Sequence, residues 1–307
     1  MTQIVFITDQ TVEERGYGGA EITIHELAKR APKGIDVAFV SKAFFDAAKA
    51  GSYEKNLVSA GDLVVFSNIA LWDRADIDII RKRGPYIKME FDYGFCKNHL
   101  KECEDGCKSC VEDGWYREFL QGAERIFFTC PAQKDWYRKI LGTVADNSIL
   151  NPSWIDPDRF PHLGWRRTPN TTMYHGRLFP HKGVLNVVVQ AMLHPEKQYT
   201  FVGDGPPQIE AMIESVANCH IIRQVTPELI PYLLNATEEW AMLSNWDDTG
   251  PMSAVEAYLC GARIVHNQRL GYFSYPWDWN DSESVRTELK NIASRFWGEI
   301  QRILREL

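Results

Sequence analysis

Apolar residues along this chain come in short runs spaced by polar segments of helical character. Ile4–Thr8 is such a run, followed by Asp36–Ser41, Asp62–Ser67 (DLVVFS), Tyr86–Phe91 and Arg125–Thr129 (RIFFT). Each is rich in β-branched or aromatic residues and reads as a strand. After the first comes a turn, Gly16-Tyr17-Gly18-Gly19. Ile24, Leu27, Ala28 and Ala31 then recur at helical spacing, which predicts a helix from about Glu21 to Arg30. Strands alternating with helices predict a mostly parallel sheet covered on both faces.

The alternation then restarts. Thr172–His175, Tyr199–Val202, His220–Arg223, Glu239–Leu243 and Arg263–His266 read as strands. Helices are expected between them at Gly183–Met192, Gln208–Val216, Pro227–Asn235 and Met252–Cys260. Two α/β series joined near Asn151-Pro152 predict two Rossmann-like domains facing a cleft, at 1–150 and 151–282. In open α/β sheets, ligands bind beyond the carboxyl ends of the strands. From Glu283 to Leu307, Leu289, Ile292, Phe296, Trp297, Ile300 and Ile303 form an apolar stripe. A single C-terminal helix at 283–307, capped by Asp281 or Ser282, is expected to cross back onto the first domain.

Composition narrows the class. With 307 residues, 45% hydrophobic and 24% charged, the chain suits two globular domains with their own cores. No apolar run approaches the roughly 20 residues needed to span a bilayer. The N-terminus MTQIVFITDQ reads as a strand and not a signal peptide, so the expectation is a cytoplasmic protein without a transmembrane segment. A net charge of −7 argues against a long, non-specific nucleic-acid footprint. Arg81-Lys82-Arg83 and Arg166-Arg167 are the local basic clusters, and each reads more simply as a solvated loop or helix end.

Two segments carry candidate chemistry. In Tyr174-His-Gly-Arg-Leu-Phe-Pro-His-Lys-Gly183, Arg177 and Lys182 stand five residues apart between a strand and a helix. A guanidinium fork and a point charge suit a diphosphate, and Gly176 and Gly183 permit close backbone approach. The plainer reading is a surface loop with two solvated cations. In Asp248-Thr-Gly-Pro-Met-Ser-Ala-Val-Glu256, two carboxylates lie eight positions apart, and Gly250-Pro251 turn the chain into a helix. Asp248 before the helix and Glu256 about one turn inside it present two acceptors at the separation of two hydroxyl-bearing ends of one ligand. The alternatives are a turn Asp and a helix-surface Glu.

The pieces GYGGAE (16–21), NPSWIDPDRF (151–160), HGRLFPHKG (175–183), FVGDGP (201–206) and DDTGPMSAVEAYLCGARIV (247–265) resemble, in order and spacing, the motifs of family-4 retaining glycosyltransferases of the GT-B fold. Roughly residues 1–267 share the pattern, the first 150 only patchily. The resemblance implies a nucleotide-diphosphate sugar as donor, its pyrophosphate bound by Arg177 and Lys182 without a catalytic metal. It places Glu256 on the nucleotide ribose and Asp248 on the sugar hydroxyls. Backbone groups of Thr249, Gly250, Pro251, Met252 and Ser253 would approach sugar and phosphates. Gly18 and Gly19 would approach the phosphates from the other domain, and Val225 would lie near the base. Three departures stand out. The family usually has Glu at the position of Asp248 and Asn-Gly at the junction Asn151-Pro152. Its first-domain His-Asp pair is replaced by Glu90-Phe-Asp92-Tyr93. Asp92 is therefore the candidate acceptor-side carboxylate, as general base or hydroxyl anchor, with a helix cap as the alternative.

Cys96, Cys103, Cys107 and Cys110 form a feature outside that resemblance, in a Lys/Glu/Gly-rich insertion at 94–114. Without a secretion signal, four closely spaced thiols read first as a structural zinc site, with an iron–sulfur cluster or disulfides as alternatives and His99 as a substitute ligand. Cys130, Cys219 and Cys260 read as buried structural thiols.

The expected activity is sugar transfer, hexosyl or pentosyl, with retention. The alternatives are a non-catalytic nucleotide-sugar-binding module and a GT-B nucleotide-sugar epimerase. Candidate acceptors are a glycan, a small molecule or a nucleic-acid base.

Overall fold

The computed structural model describes residues 2–15, 18–51, 58, 63–97, 103 and 105–307. Gly16, Tyr17, Asp62 and His99, singled out above, lie outside the described residues. The chain forms two compact units, Met1–Trp154 with Asn291–Leu307, and Ile155–Lys290.

The first unit is built on β1 (Thr2–Thr8), β2 (Ile35–Ser41), β3 (Leu63–Phe66), β4 (Tyr86–Glu90), β5 (Arg125–Phe128) and β6 (Ser148–Leu150). These pair in parallel in the order β2-β1-β3-β4-β5-β6. Ile4 to Ile7, Leu63 to Phe66 and Ile126 to Phe128 are buried, as strands covered on both faces require. The strand order reverses between β1 and β3, the place where an open α/β sheet leaves a crevice. There Asp9, just past β1, accepts backbone N–H bonds from Leu71 (2.8 Å) and Ala70 (3.0 Å) beyond β3.

The second unit carries β7 (Thr168–His175), β8 (Gln198–Val202), β9 (Cys219–Ile222), β10 (Thr237–Met242) and β11 (Arg263–His266). Its parallel order is β11-β10-β7-β8-β9, so its switch point lies between β7 and β10.

The tail differs from the single helix expected at 283–307. It forms two helices, Ser282–Lys290 and Ile292–Glu306, broken at Asn291. The apolar stripe is continuous in sequence but serves two cores. In the second unit, Val285 and Leu289 are buried, and the Arg286 guanidinium donates to the carbonyls of Pro157 (2.5 Å), Phe160 (2.7 Å) and Leu259 (2.9 Å). In the first unit, the Phe296 ring lies 5.1 Å from Phe127 and 6.3 Å from Phe6, and Trp297 Nε1 donates to Leu27 O at 2.8 Å. Asp281 caps the first helix by accepting from the backbone of Glu283 at 3.0 Å.

The unit boundary follows Trp154 rather than residue 150. Trp154 N–H donates to Thr23 Oγ1 at 3.1 Å, and the Arg30 guanidinium sits 4.2 Å above its ring. Both bonds tie the junction to the first unit.

Candidate functional site

The carboxyl ends of β7 and β10 gather the sequence motifs of the second unit. β7 ends at His175 and turns at Gly176, whose φ is 131°. At Gly203 (φ 140°), a Cβ would stand 2.1 Å from Gly176 O, so FVGDGP and HGR are glycine-bearing where two loops touch. A Cβ on Gly183 would stand 1.9 Å from Leu243 O. Glycine there lets the 176–183 loop seat against the segment leaving β10, which places Lys182 beside Asp248.

Lys182 Nζ donates to Asp248 Oδ2 at 2.5 Å and lies 4.7 Å from the Trp246 ring centre. Asp248 is only 4% exposed and is fixed through its backbone, donating to Arg269 O (2.9 Å) and accepting from Gly271 N (2.7 Å). The turn that follows packs against it. Thr249 and Pro251 are buried, and Gly250, Met252 and Ser253 are half-buried at the start of the helix Met252–Leu259. The nearby Tyr174 phenol is pushed above its ordinary pKa by burial first and by the Asp248 charge second.

Glu256 meets a residue the motif reading passed over. His175 Nε2 is 2.8 Å from Glu256 Oε2, and His175 Nδ1 is 2.9 Å from Trp240 Nε1. An indole N–H only donates, so Nδ1 must accept. That partner set assigns the imidazole proton to Nε2, which donates to the carboxylate.

Arg177 is exposed on the same loop, with its guanidinium 5.6 Å from the Phe179 ring centre. Val225 is half-buried beyond β9, after Gln224 in a left-handed conformation (φ 54°). Its neighbour Arg223 is engaged with Glu210 (2.7 Å) and Glu214 (2.8 Å) on the surface. The structure thus brings Lys182 to Asp248 and Glu256 to His175.

In the first unit, Gly18 precedes the helix Gly19–Lys29, and a Cβ there would fall 2.0 Å from Glu21 Oε2. Asp92 lines a cavity of about 170 Å³ together with Lys88, Glu90, Trp72, Trp115 and Tyr116. It caps no helix: the next helix among the described residues is Trp115–Gln121. Lys88 and Glu90 alternate on β4 and so face one side. Both are almost wholly buried. Lys88 Nζ donates to Ser67 O (2.7 Å) and Met89 O (2.5 Å) and lies 3.6 Å from Glu90 Oε2. Burial lowers the Lys88 pKa, and the Glu90 charge pulls the other way. Glu90 Oε1 accepts from the Tyr116 hydroxyl.

The four clustered cysteines converge. Their sulfurs lie within 4.8 Å of one another, with Cys96–Cys103, Cys103–Cys110 and Cys96–Cys107 at 3.5, 3.4 and 3.6 Å. Four sulfurs bound tetrahedrally at a Zn–S distance of about 2.3 Å would stand about 3.8 Å apart. The donor set therefore fits one ion. Thiolates on the separate irons of a cluster stand farther apart. No disulfide joins any of the seven cysteines, and Cys130, Cys219 and Cys260 are buried apart from the cluster.

No protein-family model matches the sequence, and no curated protein matches it. Solved structures match over nearly the whole chain. Sucrose-phosphate synthase from Thermosynechococcus elongatus superposes with a TM-score of 0.68 at 16% identity, covering 100% of this chain and 97% of that one. AviGT4, a glycosyltransferase involved in avilamycin A biosynthesis, gives 0.64 at 14%, covering 100% and 99%. HepE of Anabaena in complex with UDP-glucose gives 0.61 at 14%, covering 99% and 96%.

The chain has the GT-B fold.

In this GT-B chain, the motif resemblance and the structural likeness agree on one group of proteins. At these identities the likeness is one of fold. Among the described residues, no helix is long and apolar enough to cross a membrane.

Sequence reasoning missed His175 with Trp240, and Lys88 with Glu90 as a pair. Lys88 had a signal: a Lys and a Glu two apart in an otherwise apolar central strand (YIKME) must neutralise each other once buried. The contact of His175 with Glu256, eighty-one residues away, left none.

Proposed function

We propose that the protein is a retaining glycosyltransferase that takes a hexosyl or pentosyl group from a nucleotide-diphosphate sugar. The observation that carries this reading is the Lys182–Asp248 pair at the β7/β10 switch point, together with a Glu256 oriented by His175. Arg177 and Lys182 stabilise the pyrophosphate, whose charge grows as the bond to the anomeric carbon breaks. Asp248 accepts from sugar hydroxyls, Glu256 from the ribose, and the turn from Thr249 to Ser253 lies along sugar and phosphate. Val225 stands by the base. Gly18 and Gly19 contribute backbone N–H groups.

The donor C1–O bond breaks with its electron pair left on the phosphate. The acceptor oxygen forms the new C1–O bond on the same face, and its proton passes to the departing phosphate. No catalytic metal takes part. In the first unit, Asp92 and Glu90 offer carboxylate oxygens to an acceptor hydroxyl in the cavity. The four cysteines hold a structural zinc ion, and thiols kept reduced for that purpose suit the cytoplasm.

Calorimetric titration with UDP, GDP, ADP and CDP tests the donor site. Micromolar binding of one nucleotide, lost in Lys182→Ala, supports the reading. Binding of none contradicts it.

A further inference from the structure

The four-cysteine cluster and the cavity of the first unit share walls. Cys96 and Cys110 both line the cavity of about 170 Å³ that contains Lys88 and Glu90. They do so from two different segments.

Cys96 stands six residues past Glu90, the last residue of β4. The intervening chain folds tightly over that carboxylate. Cys96 N–H donates to Tyr93 O at 2.8 Å, and Gly94 N–H donates to the Tyr137 hydroxyl at 2.9 Å. Gly94 is pressed so closely that a Cβ would stand 2.2 Å from the Tyr116 hydroxyl and 3.1 Å from Glu90 Oε2. Cys110 approaches from the other side. It leads through a turn closed by Gly114 N to Val111 O (3.2 Å) into the helix Trp115–Gln121. That helix presents Trp115 to the cavity and Tyr116 to Glu90.

Between these segments, Gly106 and Cys107 are both left-handed, with φ of 65° and 67°. A left-handed non-glycine residue is strained and persists where its surroundings over-determine it. Asp105 holds the turn by accepting from the backbone of Cys107 (2.9 Å) and Ser109 (2.8 Å), and Cys107 Sγ lies 3.6 Å from Cys96 Sγ.

We infer that one zinc ion on Cys96, Cys103, Cys107 and Cys110 is what holds the Glu90 cavity together. It clamps the β4-side segment at Cys96 to the helix-side segment at Cys110, and so keeps Tyr116 on Glu90 and Gly94 over both. The inference rests on the zinc reading above and adds to it that the metal shapes a binding cavity, whereas a remote zinc site would only staple a surface insertion. The ion keeps four protein ligands and takes no part in chemistry.

The test uses the full chain, as purified, and reads two independent quantities. Elemental analysis counts the metal. Hydrogen exchange read by mass spectrometry follows peptides covering 86–97 and 115–121, before and after treatment with a strong chelator, and in Cys107→Ser. About one zinc per chain is expected, absent from Cys107→Ser. Without it, exchange in both peptides rises about tenfold or more, while peptides covering 2–8 and 168–202 keep their rates. Tyr116→Phe, which touches no ligand, should retain the zinc and speed exchange only around Glu90. No bound metal overturns the zinc reading itself. Bound zinc whose removal leaves 86–97 and 115–121 unchanged overturns the clamp alone. Loss of protection throughout β1 as well would also overturn it, because the ion would then hold the whole unit and not this wall.

Discussion

His175 donates from Nε2 to Glu256 Oε2 at 2.8 Å while its Nδ1 accepts from Trp240 at 2.9 Å. One imidazole thus joins the end of the central strand of the second unit to the carboxylate proposed for the ribose. The two nitrogens can be tested separately. His175→Gln places an amide N–H near the position of Nε2, and His175→Asn places a carbonyl near that of Nδ1. A hydrogen bond to a charged group contributes about 1.5–3 kcal/mol. Donor affinity should therefore fall about tenfold or more in His175→Asn and recover in His175→Gln, as read by calorimetry. Equal losses in both would reduce His175 to a packing residue.

Lys182 and Asp248 form a largely enclosed pair, their side chains 19% and 6% exposed. Removing one partner of a buried pair costs about 3 kcal/mol or more, whereas removing both together is often close to neutral. Lys182→Met should lower unfolding free energy in urea by that order. The double variant Lys182→Met/Asp248→Asn should regain most of it, and neither should bind the donor. A double variant no more stable than the single one would show that the pair is not the source of the loss.

Asp9 gives the first unit a pH dependence of a definite sign. Burial is the largest cause raising its pKa from the ordinary 3.8 to about 6, opposed by the N–H groups of Leu71 and Ala70, with Glu21 and Lys88 as the charged neighbours. Between those values the folded protein holds a proton that the unfolded chain has released, so stability falls as pH rises from about 4 to about 6. The rise corresponds to about 3 kcal/mol. Asp9→Asn, which cannot ionise, should lack this component. Urea unfolding at pH 4 and pH 7 should show the variant gaining on the wild type by that order. An unchanged difference between the two pH values would contradict the assignment.

Burial pushes the Cys219 thiol up to about 11 and Cys260 to about 12, the latter with a further push from the Glu256 charge. At pH 8 about one Cys219 in a thousand is thiolate, the form that alkylates. Treating the folded protein with iodoacetamide after chelation should label the 96–110 cluster because its loop opens once the metal is gone, and leave Cys219 and Cys260, which stay in their cores, unlabelled by mass. Rapid labelling of either buried thiol would contradict the burial account.

Most of the fold was legible because both sheets are parallel and buried on two faces, so strands such as Ile4–Ile7 and Phe201–Val202 read as apolar runs. The short strand Ser148–Leu150 did not read, since three half-buried residues leave almost no pattern. The break at Asn291 was hidden because a continuous stripe does not say how many cores it serves. At the site, Arg177 with Lys182, Asp248 with Glu256, and the four cysteines were visible as residue types at telling spacings. What those side chains touch across the sheet was not, because pairs such as Asn186 with Leu243 or His175 with Glu256 depend on which strands lie side by side.

Slow hydrolysis of a sugar donor without acceptor addresses the central claim most directly. Nucleotide release from UDP-, GDP-, ADP- and CDP-sugars is followed for the wild type, Arg177→Ala and Glu256→Ala. The account predicts that one donor is hydrolysed by the wild type and that both substitutions abolish it while the proteins remain folded. Hydrolysis that survives in both variants, or a donor that binds and is never turned over with any acceptor, would contradict it.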